Sequence, residues 1–247
     1  MPGISEIWSR YFRKGGITPF AYEGDRPASN AQATVVEDMF WSNEGPVVHK
    51  WHHYLPIYDR YLTPWRGRPV RMLEIGVSRG GSMQLWRRFL GPDAVLFGID
   101  IDPACAVFDG QSAQVRIGSQ TDTGFLRRVI AEMGGVDIVL DDGSHASAHI
   151  RASLDVLFPL LSNGGLYLIE DLHACYWRSF GGGYRRRGSF IEVVKTMVDD
   201  MHHWYHTQGE RIAATVGHLG AIHVYDSLVV LEKASVTPPR HSQRGFD

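Results

Sequence analysis

In this chain of 247 residues, short apolar runs repeatedly end in groups that could bind a ligand or move a proton. VRMLEIG closes on Glu74-Ile75-Gly76, AVLFGID on Asp100, VDIVLDD on Asp141-Asp142 and GLYLIED on Glu170-Asp171, while Ser119-Gln120 follow QVRIG. After the first run, Gly76-Val77-Ser78-Arg79-Gly80-Gly81-Ser82 leads into a helix expected over Met83 to Leu90. Glycines let the backbone approach a ligand closely, and a helix N-terminus offers free N–H donors and partial positive charge. The spacing is not GxGxxG, so a pyrophosphate need not be the ligand. A carboxylate at the end of the second run, Asp100, suits a pair of ribose hydroxyls. Taken singly, the glycines fit a tight strand-to-helix turn equally well, and Asp100 and Asp102 fit solvated turn carboxylates. Glu74 is harder to assign to a passive role, because a carboxylate inside an apolar strand end needs partners. Together these groups favour a site for an adenosyl ligand.

The elements that must position them follow from the spacing. Runs that are apolar throughout alternate with helical patterns, such as Ile150, Leu154, Leu157 and Leu161 on one face. That combination predicts a parallel sheet covered on both sides. In such sheets ligands bind outside the carboxyl ends of the strands, where these polar groups cluster. Ser189-Phe190-Ile191-Glu192 has the spacing of a capping box, opening a helix through about His206 with Phe190, Val194, Met197, Met201 and Trp204 on its apolar face. AIHVYDSLVVLEK predicts two strands meeting near Asp226-Ser227, an antiparallel finish to the sheet. Residues 1–45 are expected to be a loop-rich extension acting as a lid or an oligomer contact, with Trp8, Tyr11, Phe12 and Phe20 as apolar contacts. Residues 46–247 are expected to form the α/β domain.

Composition narrows the function. With 44% apolar and 21% charged residues, the chain has the profile of a globular protein. A formal net charge of −2 gives no support for a nucleic-acid partner, Arg185-Arg186-Arg187 being the one tight basic cluster. That cluster is expected to be a solvated loop. Cys105 and Cys175 form no CxxC pair, which argues against thiolate zinc and a disulfide framework. No signal-peptide pattern and no membrane-length apolar run are seen, so a cytoplasmic location is expected.

The blocks VRMLEIGVSRGGS and FGIDID resemble the class I S-adenosylmethionine-dependent methyltransferases. HKWHHYLPIYDRYL, LEIGVSRGGSMQLW, VLDDGSHASAHIRASLDVLFPLLSNGGLYLIEDLHACYW and DDMHHWYH are similar to the metal-dependent sugar O-methyltransferases of macrolide tailoring, over about residues 47 to 206. The resemblance implies a Rossmann-like, mostly parallel seven-stranded sheet with an antiparallel last strand and helices on both faces. It also implies S-adenosyl-L-methionine and Mg²⁺ or a similar divalent cation, and a homo-oligomer, dimer or tetramer. Carried over by position, Asp142 and Asp171 become metal carboxylates with Glu170 near or on the ion, and His145 the general base. Glu74, Gly76, Ser82, Asp100, Ser119 and Gln120 become cofactor contacts, with Asp141 beside them, and Asp59 a weak further ligand candidate. The glycine-rich loop is shorter than the family's, and no counterpart of its large additional N-terminal domain is seen, which leaves the acceptor open.

The implied chemistry is self-consistent. Methyl transfer from a sulfonium needs an aligned oxygen nucleophile and a place for its proton. A hard cation on carboxylate oxygens lowers the pKa of an alcohol, and histidine ordinarily titrates near neutrality. Left alone, His145 fits a helix-capping or loop histidine better than a base; its carboxylate neighbours reverse that. Tyr176, Trp177 and Tyr184 suit either a sugar face or the core. The expected acceptor is a small molecule or oligosaccharide, with a catechol-type phenol as the alternative and a non-catalytic adenosyl-nucleoside binder as the reading from another class.

Overall fold

The computed structural model describes residues 24–27, 32–209 and 211–245. The chain divides into two compact units, 1–33 and 34–247, and the sheet and its helices belong to the second. Trp8, Tyr11, Phe12 and Phe20 lie outside the described residues. Among the described residues the α-helices are α1 (Val35–Trp41), α2 (Leu55–Leu62), α3 (Gly81–Leu90), α4 (Thr123–Met133), α5 (Ser147–Leu160) and α6 (Phe190–Met201). The strands are β1 (Arg71–Ile75), β2 (Val95–Asp100), β3 (Gln114–Ile117), β4 (Val136–Asp141), β5 (Leu161–Ile169), β6 (Leu219–Val224) and β7 (Val229–Lys233).

They form one sheet in the order β3-β2-β1-β4-β5-β7-β6. The first five strands run parallel, and β7 lies antiparallel to both β5 and β6. The expected Rossmann-like sheet with its antiparallel finish is therefore the observed one. Strand order reverses beside β1, whose neighbours are β2 and β4, so the crevice predicted for ligands opens between the exits of β1, β2 and β4.

Strand side chains alternate between faces, and this period assigns every polar group at the rim. Met72, Ile138, Leu140, Leu166 and Leu168 pack into the core on one face with α1, α2 and α3. Leu73, Ile75, Val139, Tyr167 and Ile169 pack into the other with α4, α5 and α6. Continuing each strand by its two-residue period puts Glu74, Asp142 and Glu170 on the first face and Asp141 on the second.

Five local expectations change. The stretch read as a loop-rich extension contains α1, capped by a Thr34–Glu37 box in which Thr34 Oγ1 accepts from the Glu37 amide. α3 begins at Gly81, because Gly80 takes a left-handed conformation (φ 76°) and turns the chain two residues earlier than expected. Leu161 opens β5 instead of closing the α5 face. α6 ends at Met201, and Trp204 lies beyond it, 38% exposed. Ser189 precedes α6 without capping it by side chain, since its hydroxyl donates to the Cys175 carbonyl at 2.7 Å. Among the described residues no helix is long and apolar enough to cross a membrane.

Gly76 sets how closely the β1 and β4 exits approach. It sits at φ 100°, and a Cβ there would come within 2.2 Å of the Asp142 carbonyl oxygen. Gly76→Ala is expected to cost roughly 3 kcal/mol, combining left-handed strain with a backbone clash. Denaturant unfolding checks this; a midpoint equal to wild type refutes it.

Candidate active site and cation site

The exits of β4 and β5 are adjacent, with Asp141 in register with Ile169, so Asp142 and Asp171 are delivered to one rim. One ligand atom each from Asp142, His145 and Asp171 lies within 4.8 Å of the others. His145 Nε2 is 3.9 Å from Asp142 Oδ1 and 3.7 Å from Asp171 Oδ2. His145 and Asp171 both hold left-handed backbone conformations, φ 56° and 55°. Such conformations cost non-glycine residues energy and persist only where surrounding structure imposes them. For Asp171 that structure is visible: Trp51 Nε1 and the Tyr54 hydroxyl both reach its Oδ1 at 3.0 Å. Tyr54 in turn accepts from the Asp171 amide at 3.2 Å and lies 3.0 Å from the Ser227 carbonyl.

Glu170, expected near or on the ion, directly precedes Asp171 at the β5 exit. It is not part of the trio; both its oxygens, at 2.9 and 3.0 Å, accept from Lys50 Nζ. The same ammonium donates to Asp142 Oδ2 at 2.6 Å and stands 3.8 Å from Glu74 Oε1. Burial works against the Lys50 charge, but Asp142, Glu170 and Glu74 outweigh it and hold the group well above the usual lysine range. One ammonium does not offset the burial of these acids, and two of them shift toward their protonated forms. Burial, then Asp142, push Glu170 upward against the pull of Lys50. Burial pushes Glu74 up to about 7, again against Lys50. Lys50 carries no local signal in the sequence.

The remaining predicted residues separate into an open rim and a buried layer. Asp100 is half-buried at the β2 exit, where Oδ2 accepts the amides of Val77 and Ser78 at 3.0 and 2.9 Å. Its other oxygen accepts the Asp102 amide at 2.9 Å. These bonds fix the Gly76–Ser82 loop against β2 and leave further lone pairs on the carboxylate for a ligand. Ser119 is half-buried beside them, its hydroxyl 2.9 Å from that of Thr121. Ser82 lies in the first turn of α3. Glu74 sits beneath the loop, 1% exposed, with Trp86 Nε1 donating to it at 3.0 Å. Asp59, the weak further ligand candidate, is remote from the trio in function: its oxygens accept Val36 N at 3.2 Å and Thr63 Oγ1 at 3.3 Å, tying α1 to α2.

Asp141, on the opposite face, belongs to a closed network. Ser153 Oγ donates to it at 2.5 Å and Gln120 Nε2 at 3.2 Å, with the Tyr167 hydroxyl at 3.4 Å. Gln120 Oε1 accepts the Ser144 amide at 2.8 Å, linking this network to the loop that carries His145. Among the aromatic candidates, Tyr184 is 77% and Tyr176 48% exposed. Trp177 lies edge-to-face with His173, which packs the same way on Trp51. Trp177 is thus two rings from Asp171.

Residues 73–172 match a family profile described as a methyltransferase domain. The chain is 38% identical over 195 residues, 74% of its length and 50% of the relative's, to the 8-demethyl-8-(2-methoxy-alpha-L-rhamnosyl)-tetracenomycin-C 3'-O-methyltransferase of Streptomyces olivaceus. It is 35% identical to the mycinamicin VI 2''-O-methyltransferase of Micromonospora griseorubida, over 74% of this chain and 48% of that one. A methyltransferase of the mycinamycin pathway, solved with Mg, SAH and mycinamycin VI, superposes with a TM-score of 0.70 at 31% identity, over 81% of this chain and 53% of that one. The chain therefore spans about half the length of the curated relatives it matches.

Burial raises Asp141 from 3.8 to about 6, with Ser153 and Gln120 opposing the shift. A raised carboxyl favours the protonated form, so its stabilisation is complete below about pH 4 and is lost as pH rises through 6. The loss amounts to about 3 kcal/mol at 1.36 kcal/mol per unit. Asp141→Asn should therefore gain on wild type by about that amount between pH 4 and pH 7, read from urea unfolding in metal-free buffer. A wild-type-minus-variant difference that ignores pH refutes it.

Proposed function

This chain belongs to the methyltransferase-domain family, and from that premise we propose that it is an S-adenosylmethionine-dependent O-methyltransferase acting on a sugar hydroxyl. The observation that carries the reading is the trio: two carboxylates and an imidazole on one rim, beside a glycine loop tied to Asp100. The donor set fits Mg²⁺ or a similar hard cation, since Asp142 and Asp171 offer oxygen ligands without sulfur.

Asp142 and Asp171 would hold the cation, with Glu170 near or on it, and the ion when bound lowers the pKa of an alcohol and orients it. His145 receives the proton of the attacking hydroxyl, its ring kept beside both carboxylates by a strained loop. Asp171 is kept in line by Trp51 and Tyr54. The close approach at Gly76, the Asp100 carboxylate and the α3 N-terminus form the crevice for the adenosyl cofactor, with Ser82, Ser119 and Gln120 along it. Glu74 and Asp141 act from beneath, as buried supports of that crevice. The acceptor is taken to be a small glycoside, as the names of the relatives suggest, and the protein a homo-oligomer of the cytoplasm.

Turnover of a rhamnosyl or related glycoside should stop in excess EDTA and return with Mg²⁺. His145→Ala should lower kcat/KM by at least about 100-fold while S-adenosylhomocysteine still binds, as calorimetry reads. Undiminished turnover in EDTA removes the metal from the reading, and wild-type rates for the variant remove the base. Methylation of catechols in preference to glycosides overturns the acceptor class.

A further inference from the structure

His145 holds its left-handed turn, φ 56°, in the loop between β4 and α5. A non-glycine residue keeps such a backbone only where its surroundings impose it. Here the peptides on both sides of His145 are fixed. Before it, Gln120 Oε1 accepts the Ser144 amide at 2.8 Å. After it, Ser144 Oγ accepts the Ala146 amide at 3.4 Å, and the same oxygen lies 2.8 Å from His149 Nδ1 in the first turn of α5.

Gln120 is itself anchored, which lets it act as a fixed point for that loop. It follows β3, is 8% exposed, and its Nε2 donates to Asp141 Oδ1 at 3.2 Å and reaches Ser153 Oγ at 3.5 Å. A carboxamide suits the position because one end accepts from the Ser144 N–H while the other donates to the Asp141 carboxylate. Leucine would offer neither, and glutamate would set a second negative charge against Asp141. Gly143 is what admits this contact. A Cβ there would stand 2.5 Å from Gln120 Oε1, so any larger residue would push the carboxamide off the chain just ahead of His145.

We propose that Gln120 and Ser144 are positioning residues for His145, forming a clamp that imposes its left-handed turn and so sets where the imidazole stands beside Asp142 and Asp171. This rests on the reading of His145 as the base. The clamp also ties the turn after β3, on the cofactor side of the crevice, to the residue that receives the proton. Misplacing a catalytic group by about 1 Å costs on the order of 100-fold in rate.

The first test needs no ligand: amide hydrogen exchange of the full chain, read by mass spectrometry on a peptide spanning residues 143–147. Gln120→Leu should exchange about tenfold or more faster there, with peptides of β4 and β5 at wild-type rates. The second is kinetic, with a rhamnosyl glycoside, Mg²⁺ and saturating S-adenosylmethionine. Gln120→Leu and Ser144→Ala should each lower kcat about tenfold or more, and neither should lower it further in a His145→Ala background. Ser144→Thr, which keeps the hydroxyl, should retain more activity than Ser144→Ala. If Gln120→Leu does not fold, Ser144→Ala, at an exposed position, carries both measurements. Exchange at the wild-type rate overturns the clamp, and so do equal losses of kcat with and without the His145 imidazole. Wild-type turnover by His145→Ala, or no turnover of the glycoside by wild type, instead overturns the functional reading on which the proposal rests, and the exchange measurement then decides the clamp alone.

Discussion

Three carboxylates on one face of a sheet, with one ammonium among them, constrain everything at this rim. Glu74, Asp142 and Glu170 come together because β1, β4 and β5 are neighbours and because each residue falls on the same phase of its strand's two-residue period. Buried carboxylates in that number repel one another and lose hydration. Lys50 from the segment before α2 offsets part of this and leaves the rest. On the more open side of this junction Asp142 and Asp171 meet His145.

The alternate phase explains why adjacent aspartates differ so completely. Asp141 turns to the face packed by α5 and is closed in by Ser153, Gln120 and Tyr167. Asp142, one residue later, turns to the Lys50 face and the rim. One belongs to the support of the loop carrying His145, through Gln120 and the Ser144 amide. The other belongs to the site. A one-residue change of register at β4 would exchange their environments, burying the candidate ligand under α5.

How much of this is legible in the sequence depends on the distance over which each signal acts. Strand ends are readable at Glu74, Asp100, Asp142 and Asp171, because an apolar run stopping at a carboxylate is a local pattern. That the sheet is mostly parallel follows from the alternation of runs and helices. The capping-box spacing at Ser189 misleads, because the hydroxyl finds the Cys175 carbonyl in a neighbouring segment. The α1 helix gives little signal because seven residues show less than two full turns of periodicity. Lys50 is the largest omission, and its partners stand 92 and 120 residues away. Nothing near position 50 distinguishes a lysine destined for burial from one on the surface, and the same holds for Trp51 and Tyr54, whose role depends on Asp171.

Backbone strain and its compensation hold the trio in shape. Gly76, His145 and Asp171 all have positive φ; Gly76 directly follows β1, Asp171 lies just past the end of β5, and His145 lies in the loop between β4 and α5. At Gly76 the absent Cβ admits the Asp142 carbonyl, so the β1 and β4 exits can close on each other. At Asp171 the cost of the left-handed turn is offset by three hydrogen bonds to Trp51 and Tyr54, both from the segment that also supplies Lys50. A single stretch, residues 50–54, therefore hydrogen-bonds both carboxylates of the candidate cation site, one through an ammonium and the other through an indole and a phenol. That arrangement holds the carboxylates ordered in advance, so a cation bound there would not have to meet the cost of ordering them. It also makes the site depend on a segment that precedes the sheet in sequence and that no motif at the strand ends reveals.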